Sequence, residues 1–311
     1  MIMNKKVLVI GGAGFLGTNL IQLLNTTSKY DVVSTGRKDR CNLLDLSQTT
    51  SKLKSTQPDI IINLAAHVGS LNYVTHNHAT VIDDNVKMYL NLYKAISCTC
   101  PTVKVINTIS NCSYAGHLDI QSEKDWWGGM LHPSVISFAS SKLLLWATGE
   151  CYRSQYGTKS ISVILPNAYG INDPSTLEQM HAMNGIMVRM IKAKRNNEKT
   201  FTIWGTGSPI REWIYMPDAA KILMECIDRE FDVTYFNAAQ KRGISIVDSA
   251  KIIAKVMNYN VEFIFDTSKT DGAPIKILDN VLFRKYFPDF QFTPYEVGIT
   301  NTIKYFDQIL P

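Results

Sequence analysis

The 311-residue sequence lacks a long uncharged apolar run and any block of five or more consecutive basic residues. A membrane-spanning helix needs about 20 apolar residues, so the first absence argues against a membrane partner. The start, MIMNKKVLVIGG, places only four apolar residues between lysine and glycine, and no targeting segment is expected. The net charge of +5 is spread thinly, which gives little support for nucleic-acid binding. We expect a cytoplasmic protein.

Cysteine is scarce, and its spacing fits neither a disulfide framework nor a metal site of the CxxC type. Reduced thiols and no bound metal are therefore expected. Charged residues make up 19% of the chain and hydrophobic residues 45%, which is typical of a compact folded enzyme. The six cysteines are Cys41, Cys98, Cys100, Cys112, Cys151 and Cys226.

A glycine-rich turn follows the first apolar run. Lys6 to Ile10 reads KVLVI, and a helical apolar pattern starts directly after the turn. At such a strand-to-helix turn the first glycine permits the bend, the second admits a pyrophosphate to backbone N–H groups, and the third lets the helix pack closely. The sequence therefore predicts a dinucleotide site. Its predicted residues are Gly11, Gly14, Phe15, Leu16 and Gly17.

Apolar strand-like segments recur with helical segments between them. This alternation predicts an α/β fold with a Rossmann-type doubly wound parallel sheet and a smaller mixed α/β substrate domain. We expect residues 1–165 to bind the dinucleotide, with a later return to that domain at about residues 210–240, and residues 166–311 mainly to bind substrate. The later predicted strands are residues 32–35, 60–64, 103–106 and 161–165.

Further cofactor contacts are expected near the ends of the second and third strands. Asp45 and Leu46, and the small pair Ala65 and Ala66, lie where adenine and ribose must pass close to backbone. The second strand ends without an acidic residue and continues to Arg37, which favours a 2′-phosphate and hence NADP. The glycine turn carries no arginine to assist, so NAD and NADP both stay open.

Four longer stretches carry a resemblance that covers essentially the whole chain. With the glycine turn, they resemble the extended short-chain dehydrogenase/reductase family of NAD-dependent epimerases and dehydratases, and within it the GDP-L-fucose synthase-like GDP-sugar enzymes. The resemblance implies an NAD(P)-dependent enzyme for a nucleotide-linked sugar, acting as a homodimer or higher homo-oligomer. The stretches are residues 110–114, 165–170, 204–212 and 265–276.

The resemblance also implies catalytic residues. Lys142 would bind the nicotinamide ribose, and Ser110 would hydrogen-bond the sugar oxygen at C4. Cys112 and His181 match the family pair that moves protons at C3 and C5. Each has an ordinary alternative: a surface lysine, a serine that satisfies backbone, a small buried thiol and a structural histidine.

One position departs from the family pattern. The YxxxK pair is represented by Phe138 and Lys142, and the chain has no other YxxxK. In the family the tyrosine exchanges the proton of the sugar hydroxyl, and phenylalanine cannot. Either another group, such as His181, Cys112 or a water, carries the proton, or the reaction is slow, or catalysis has been lost.

The substrate residues implied by the resemblance are mostly cationic. Arg211 would clamp the diphosphate, because a planar guanidinium matches phosphate oxygens. Arg189 and Lys276 would add positive charge, Trp204 would stack on the base or ribose, and Asn167 would bind the phosphate-sugar region. A solvated arginine and a core tryptophan are the alternatives for Arg189 and Trp204.

The function we expect is hydride exchange at C4 of a GDP-activated hexose or heptose in glycan or capsule biosynthesis. Two directions stay open: keto-sugar reduction, with or without C3/C5 epimerisation, and alcohol oxidation by a 4-dehydrogenase. The alternatives are a GDP-4-keto-6-deoxy-sugar 3,5-epimerase/4-reductase and a non-catalytic dinucleotide-binding module, which only Phe138 favours.

Overall fold

The computed structural model describes residues 4–36, 39, 41–173, 176, 180–269 and 271–310. In the described part, no helix is both long and apolar enough to cross a bilayer. The strands are β1 (Lys5–Ile10), β2 (Tyr30–Thr35), β3 (Ile60–Asn63), β4 (Lys104–Ser110), β5 (Ile120–Gln121), β6 (Lys159–Leu165), β7 (Asn167–Tyr169), β8 (Thr200–Trp204), β9 (Ile210–Tyr215), β10 (Tyr235–Asn237), β11 (Gly243–Ser245), β12 (Glu262–Asp266) and β13 (Ile275–Leu278). The helices are α1 (Phe15–Leu24), α2 (Leu46–Thr56), α3 (Leu71–His76), α4 (His78–Thr99), α5 (Ile136–Tyr156), α6 (Ala182–Arg195), α7 (Met216–Asp228), α8 (Ile246–Val256), α9 (Val281–Tyr286) and α10 (Tyr295–Ile309).

The largest sheet has six parallel strands in the order β10-β6-β4-β3-β1-β2. Residues 7–10 of β1 are at most 2% exposed, because strands covered on both faces need continuous apolar runs. All five strand segments expected from the sequence overlap strands of this sheet, and the doubly wound α/β class is confirmed.

Helices cover both faces of this sheet. One face packs against α1, α7 and α9, and the other against α2, α4 and α5. Strand β10 lies at the β6 edge, so the chain returns to the large sheet after leaving it. Helices α6, α8 and α10 pack around a separate apolar core that also includes residues of β8 and β9.

Of the two smaller sheets, one is mixed and the two-stranded one is parallel. Strands β11, β9, β13 and β5 lie side by side, β7 also pairs with β9, and β12 pairs with β8. Only the β11–β9 pair among these is antiparallel. The β9–β13 register places Lys276 beside Arg211.

The buried side chain of Glu212 connects β9 to β13 and to the loop after β10. Its side chain is fully buried, and its carboxylate accepts hydrogen bonds from the backbone N–H groups of Leu278 at 2.8 Å, Gln240 at 2.6 Å and Lys241 at 3.0 Å. Burial raises the pKa of Glu212 to about 7, although the backbone hydrogen bonds oppose the shift. One side chain therefore satisfies donors from β13 and from the loop after β10.

Glu212→Ala should lower the free energy of unfolding by about 3 kcal/mol or more, because each donor left without an acceptor costs roughly 1–3 kcal/mol. Urea unfolding followed by circular dichroism measures the change. Glu262→Ala, at an exposed position of β12, is the control and should shift stability by less than about 0.5 kcal/mol. Equal midpoints for the two variants would contradict this role of Glu212.

Candidate active site

The glycine turn between β1 and α1 has no room for a side chain at Gly11 or Gly17. Gly11 has φ +83°, and a Cβ there would lie 3.0 Å from the backbone nitrogen of Ala65. A Cβ on Gly17 would lie 2.3 Å from the carbonyl oxygen of Gly11, closer than atoms can approach. These two glycines are therefore required by backbone contact, as the sequence pattern predicted.

The turn lies where an open α/β sheet binds ligands. Strand order reverses at β1, which has β2 on one side and β3 on the other. Helix α1 starts at Phe15 with no side-chain cap on its N-terminus, so its first N–H groups face the turn. A free helix N-terminus next to a turn of small residues fits the pyrophosphate of a dinucleotide.

The predicted adenosine contacts have mixed outcomes. Arg37 lies outside the described residues. Asp45 caps α2, since its carboxylate accepts hydrogen bonds from the backbone N–H groups of Ser47 and Gln48 and from both side chains. The Ser47 hydroxyl is the main cause that lowers the pKa of Asp45. Leu46 is the exposed first residue of α2, and contact of either residue with adenosine stays a prediction.

The lysine that is predicted to lie at the reaction centre is buried. Lys142 lies on α5, is 3% exposed, and its Nζ donates a hydrogen bond to the carbonyl oxygen of Thr108 at 2.9 Å. The same Nζ lies 5.3 Å from the ring centroid of Tyr89 and 5.6 Å from that of Phe138. Burial lowers the pKa of Lys142 to about 8. The alternative of a surface lysine is wrong.

Ser110 and Cys112 follow β4 next to this lysine. The Ser110 hydroxyl accepts a hydrogen bond from the backbone N–H of Cys112 at 3.4 Å and caps a short 3₁₀ turn, Asn111–Ser113. Burial raises the pKa of Cys112, opposed by the charge of Lys276, a hydrogen bond from Ser110 and the charge of Lys142. The structure therefore brings the serine, the thiol and both lysines together.

His181 has neighbours different from those of Cys112. It precedes α6, its Nδ1 lies 3.2 Å from Oδ2 of Asp173, and its ring centroid lies 5.1 Å from that of Phe15. Within the described residues, no hydrogen bond or ring contact joins His181 to Cys112. The histidine adjoins the start of α1, so a paired role with Cys112 stays a prediction.

Two adjacent cations lie on the neighbouring strands β9 and β13. The guanidinium of Arg211 donates to the carbonyl oxygens of Ile210 at 2.9 Å and Asp271 at 3.2 Å. Burial lowers the pKa of Arg211 and also that of Lys276. Over the described ranges, Lys276 has no hydrogen bond and no ion pair. Two partly buried neighbouring cations without a carboxylate bound to either form a site that suits an anion.

Arg189 and the exposed ring of Trp204 form a cation–π pair. The side chain of Trp204 is 59% exposed, which overturns the core-aromatic alternative. The guanidinium carbon of Arg189 lies 4.4 Å from the Trp204 ring centroid, and its Nη1 donates to the carbonyl oxygen of Thr202 at 2.9 Å. Arg189 is therefore packed and not freely solvated. Asn167 starts β7 and donates to the carbonyl oxygen of Glu212 at 3.1 Å.

Sequence reasoning missed two residues near the reaction centre. Tyr89 of α4 is 1% exposed and lies under the Lys142 amine. His132 precedes α5, and burial lowers its pKa together with the charges of Lys276 and Arg211. No motif marks either residue, since both reach the site through tertiary packing.

Comparisons with known proteins identify the family of the chain. A model of the NAD dependent epimerase/dehydratase family matches residues 7–238. The GDP-L-fucose synthase of Dictyostelium discoideum is 30% identical over 307 residues, which cover 97% of this chain and 95% of that protein. The GDP-L-colitose synthase of Yersinia pseudotuberculosis is 28% identical and covers 97% of both chains.

Solved structures are similar over nearly the whole chain. A GDP-L-fucose synthetase from Naegleria fowleri bound to NADP has a TM-score of 0.88 and 27% identity, with 99% of this chain and 95% of that chain covered. A GDP-6-OMe-4-keto-L-xylo-heptose reductase from C. jejuni has a TM-score of 0.87 at 19% identity, with 99% of each chain covered. The second likeness concerns the fold alone.

Replacing Lys142 should reveal its lowered pKa. Between pH 8 and 10.5 the unfolded chain holds a proton on this amine that the folded chain does not, so wild-type stability should rise with pH across that window. Lys142→Met removes the titration. As the pH rises from about 8 to about 10.5, the free energy of unfolding of the wild type should increase by about 2–3 kcal/mol relative to that of the variant. Urea unfolding at each pH measures this difference. A difference that does not change with pH would contradict the buried position.

Proposed function

Because the chain belongs to the NAD-dependent epimerase/dehydratase family, we propose that it is an oxidoreductase that acts at C4 of a GDP-activated hexose or heptose. One observation supports this most: the charges of Lys276, which is the neighbour of Arg211, and of Lys142 both act on the buried thiol of Cys112. A diphosphate bound by the cations would place its attached sugar near the reaction-centre residues.

The two parts of the chain would then have separate tasks. Residues 1–165, with the return at about 210–240, would hold the dinucleotide over the six-stranded sheet. Residues 166–311 would supply most of the sugar-nucleotide site. The stacked pair of Trp204 and Arg189 would receive the guanine base, since a base stacks readily on an exposed aromatic ring with a cation beside it. Asn167 would bind the phosphate-sugar region.

Within the reaction centre, each residue has a distinct task. Lys142 would donate hydrogen bonds to the nicotinamide-ribose hydroxyls, and Ser110 to the sugar oxygen at C4. Gly11, Gly14 and Gly17, with the backbone of Phe15 and Leu16, would hold the pyrophosphate, and Ala65 and Ala66 would pass beside the ribose. The bound nicotinamide supplies or takes the hydride.

The finer assignments extend this proposal. We propose keto-sugar reduction in glycan or capsule biosynthesis in the cytoplasm by a homodimer, with NADP as cofactor because a related structure is bound to NADP. C3/C5 epimerisation would need Cys112 and His181 to face the same sugar. Burial raises the pKa of Cys112, which disfavours the thiolate that such chemistry requires. Reduction without epimerisation is therefore our preferred reaction.

The test is consumption of reduced nicotinamide, followed by absorbance. Protein and NADPH are mixed with a GDP-4-keto-6-deoxy-hexose, a matched UDP-sugar or no sugar. Loss of absorbance only with the GDP-sugar supports the proposal. Tight dinucleotide binding without consumption by any sugar would favour a non-catalytic module, which the phenylalanine at position 138 makes a specific second candidate.

Arg211→Ala should raise KM for the GDP-sugar by a factor that corresponds to roughly 2–4 kcal/mol, because a charge-assisted phosphate contact is lost. The dissociation constant for NADPH should stay the same. Arg153→Ala, on the exposed side of α5, is the matched control and should leave both constants unchanged. An unchanged KM in the Arg211 variant would remove this residue from the site.

Phe138→Tyr should leave the fold intact and change the rate of hydride transfer by less than about tenfold, if another group already protonates the C4 oxygen. Single-turnover absorbance of nicotinamide isolates this step from product release. A gain in the range of about 10²–10⁴-fold would instead show that the natural enzyme has no proton donor there.

A further inference from the structure

A hydrogen-bonded chain of three titratable side chains lies just beyond β3. Nδ1 of His67 is 2.7 Å from Oδ2 of Asp84, and Nε2 of the same ring is 2.7 Å from the hydroxyl oxygen of Tyr73. The side chains of His67 and Asp84 are 18% and 21% exposed, and Tyr73 is also partly buried. These three side chains are therefore largely shielded from solvent without being fully buried.

The backbone places this group of three hydrogen-bonded side chains at the predicted cofactor cleft. His67 directly follows Ala65 and Ala66, and the Ala65 backbone is the one that Gly11 approaches. The carboxyl ends of β1 and β3 meet here, at the point where the strand order reverses.

Two sets of contacts connect it to α5. The Asn85 side chain accepts from the His67 backbone N–H at 2.8 Å and donates to the His67 carbonyl oxygen at 2.8 Å. The Tyr89 hydroxyl donates to the same amide at 3.3 Å, and the Tyr89 ring lies under Lys142.

The second set leads to Phe138. His78 Nδ1 lies 2.8 Å from the hydroxyl of Ser137, the residue before Phe138. Thr75, on the same short helix as Tyr73, donates to the carbonyl oxygen of Ser134 at 3.4 Å. The helix that carries Tyr73 therefore packs against the segment that leads into α5.

We propose that Tyr73, backed by His67 and Asp84, is the acid/base group that exchanges the proton of the C4 oxygen in place of the absent tyrosine at position 138. The inference rests on the proposed function, because it requires a sugar oxygen that gains or loses a proton. Tyr73 would be the catalytic residue, whereas His67 and Asp84 would be positioning residues that act through it.

The protons and electrons balance in both directions. In reduction, the keto carbon receives the hydride, the Tyr73 hydroxyl gives its proton to the sugar oxygen, and the phenolic oxygen takes the Nε2 proton of protonated His67. The imidazole then keeps its Nδ1 proton toward Asp84, and solvent restores the other. In oxidation, the sugar hydroxyl proton passes to Tyr73 as the tyrosine proton passes to neutral His67, and the hydride goes to the oxidised nicotinamide.

The decisive experiment compares four proteins in single-turnover reduction of a GDP-4-keto-6-deoxy-hexose by NADPH. Tyr73→Phe keeps the ring, loses the hydroxyl, and should slow hydride transfer by about 10²–10⁴-fold with an unchanged NADPH dissociation constant. Phe138→Tyr in the Tyr73→Phe background should restore most of the rate. Tyr156→Phe, exposed on α5, is the control and should react at the wild-type rate.

The outcomes separate the two proposals. A wild type that reduces no GDP-sugar overturns the proposed function and this inference with it. An active wild type with an equally active Tyr73→Phe variant overturns the inference alone. A slow Tyr73→Phe variant that Phe138→Tyr fails to rescue also overturns it, since a structural defect at position 73 would not be repaired from position 138.

Imidazole nitrogen NMR tests the relay without substrate or cofactor. Tyr73→Phe should shift the His67 Nε2 signal, and Asp84→Asn should shift the Nδ1 signal, because each variant removes the partner of that nitrogen. His67 signals that stay in place in both variants would show that the hydrogen bonds do not form, and would overturn the inference.

Discussion

The backbone contact between Gly11 and Gly17 determines where α1 lies and therefore where the molecule can bind an anion. A single added carbon at position 17 would lie 2.3 Å from the Gly11 carbonyl oxygen, so α1 can sit this close only because glycine occupies the position. With the helix so placed, its uncapped N-terminus faces the crevice between β1 and β3. The segments after β3 and β4, which carry the polar side chains of the site, open onto the same edge of the sheet.

The cationic side chains of the site are partly or fully buried, and the surrounding structure fixes their positions. Lys142 gives up solvent for one backbone carbonyl and two aromatic rings, and its pKa falls to about 8 as a result. Arg211 and Lys276 are neighbours across a strand pair that buried Glu212 ties to the loop after β10. An anionic ligand would therefore bind to cations whose positions are already fixed. Less side-chain conformational entropy would then be lost on binding.

Local backbone requirements were predictable from the sequence, and long-range side-chain contacts were not. The glycine turn and the buried strands follow from residues that are adjacent in the chain, so composition and spacing suffice to place them. Lys142 and Phe138 lie on the same helix, so their four-residue spacing could also be read from the sequence. Tyr89, His132 and the pair of His67 and Asp84 reach their partners only after α4 and α5 have packed on the sheet. Neither periodicity nor a motif marks such contacts.

The exposed face of Trp204 gives the protein an optical property of its own. The chain has five tryptophans. Trp213 is buried, while Trp126, Trp127 and Trp146 contact one another in a separate aromatic group. Trp204 alone has a guanidinium stacked 4.4 Å from its ring centroid within the described chain, and more than half of its surface meets water. A purine that stacked on this indole would quench its fluorescence on contact, so the emission of one residue would report occupancy of the proposed base site even when no chemistry takes place.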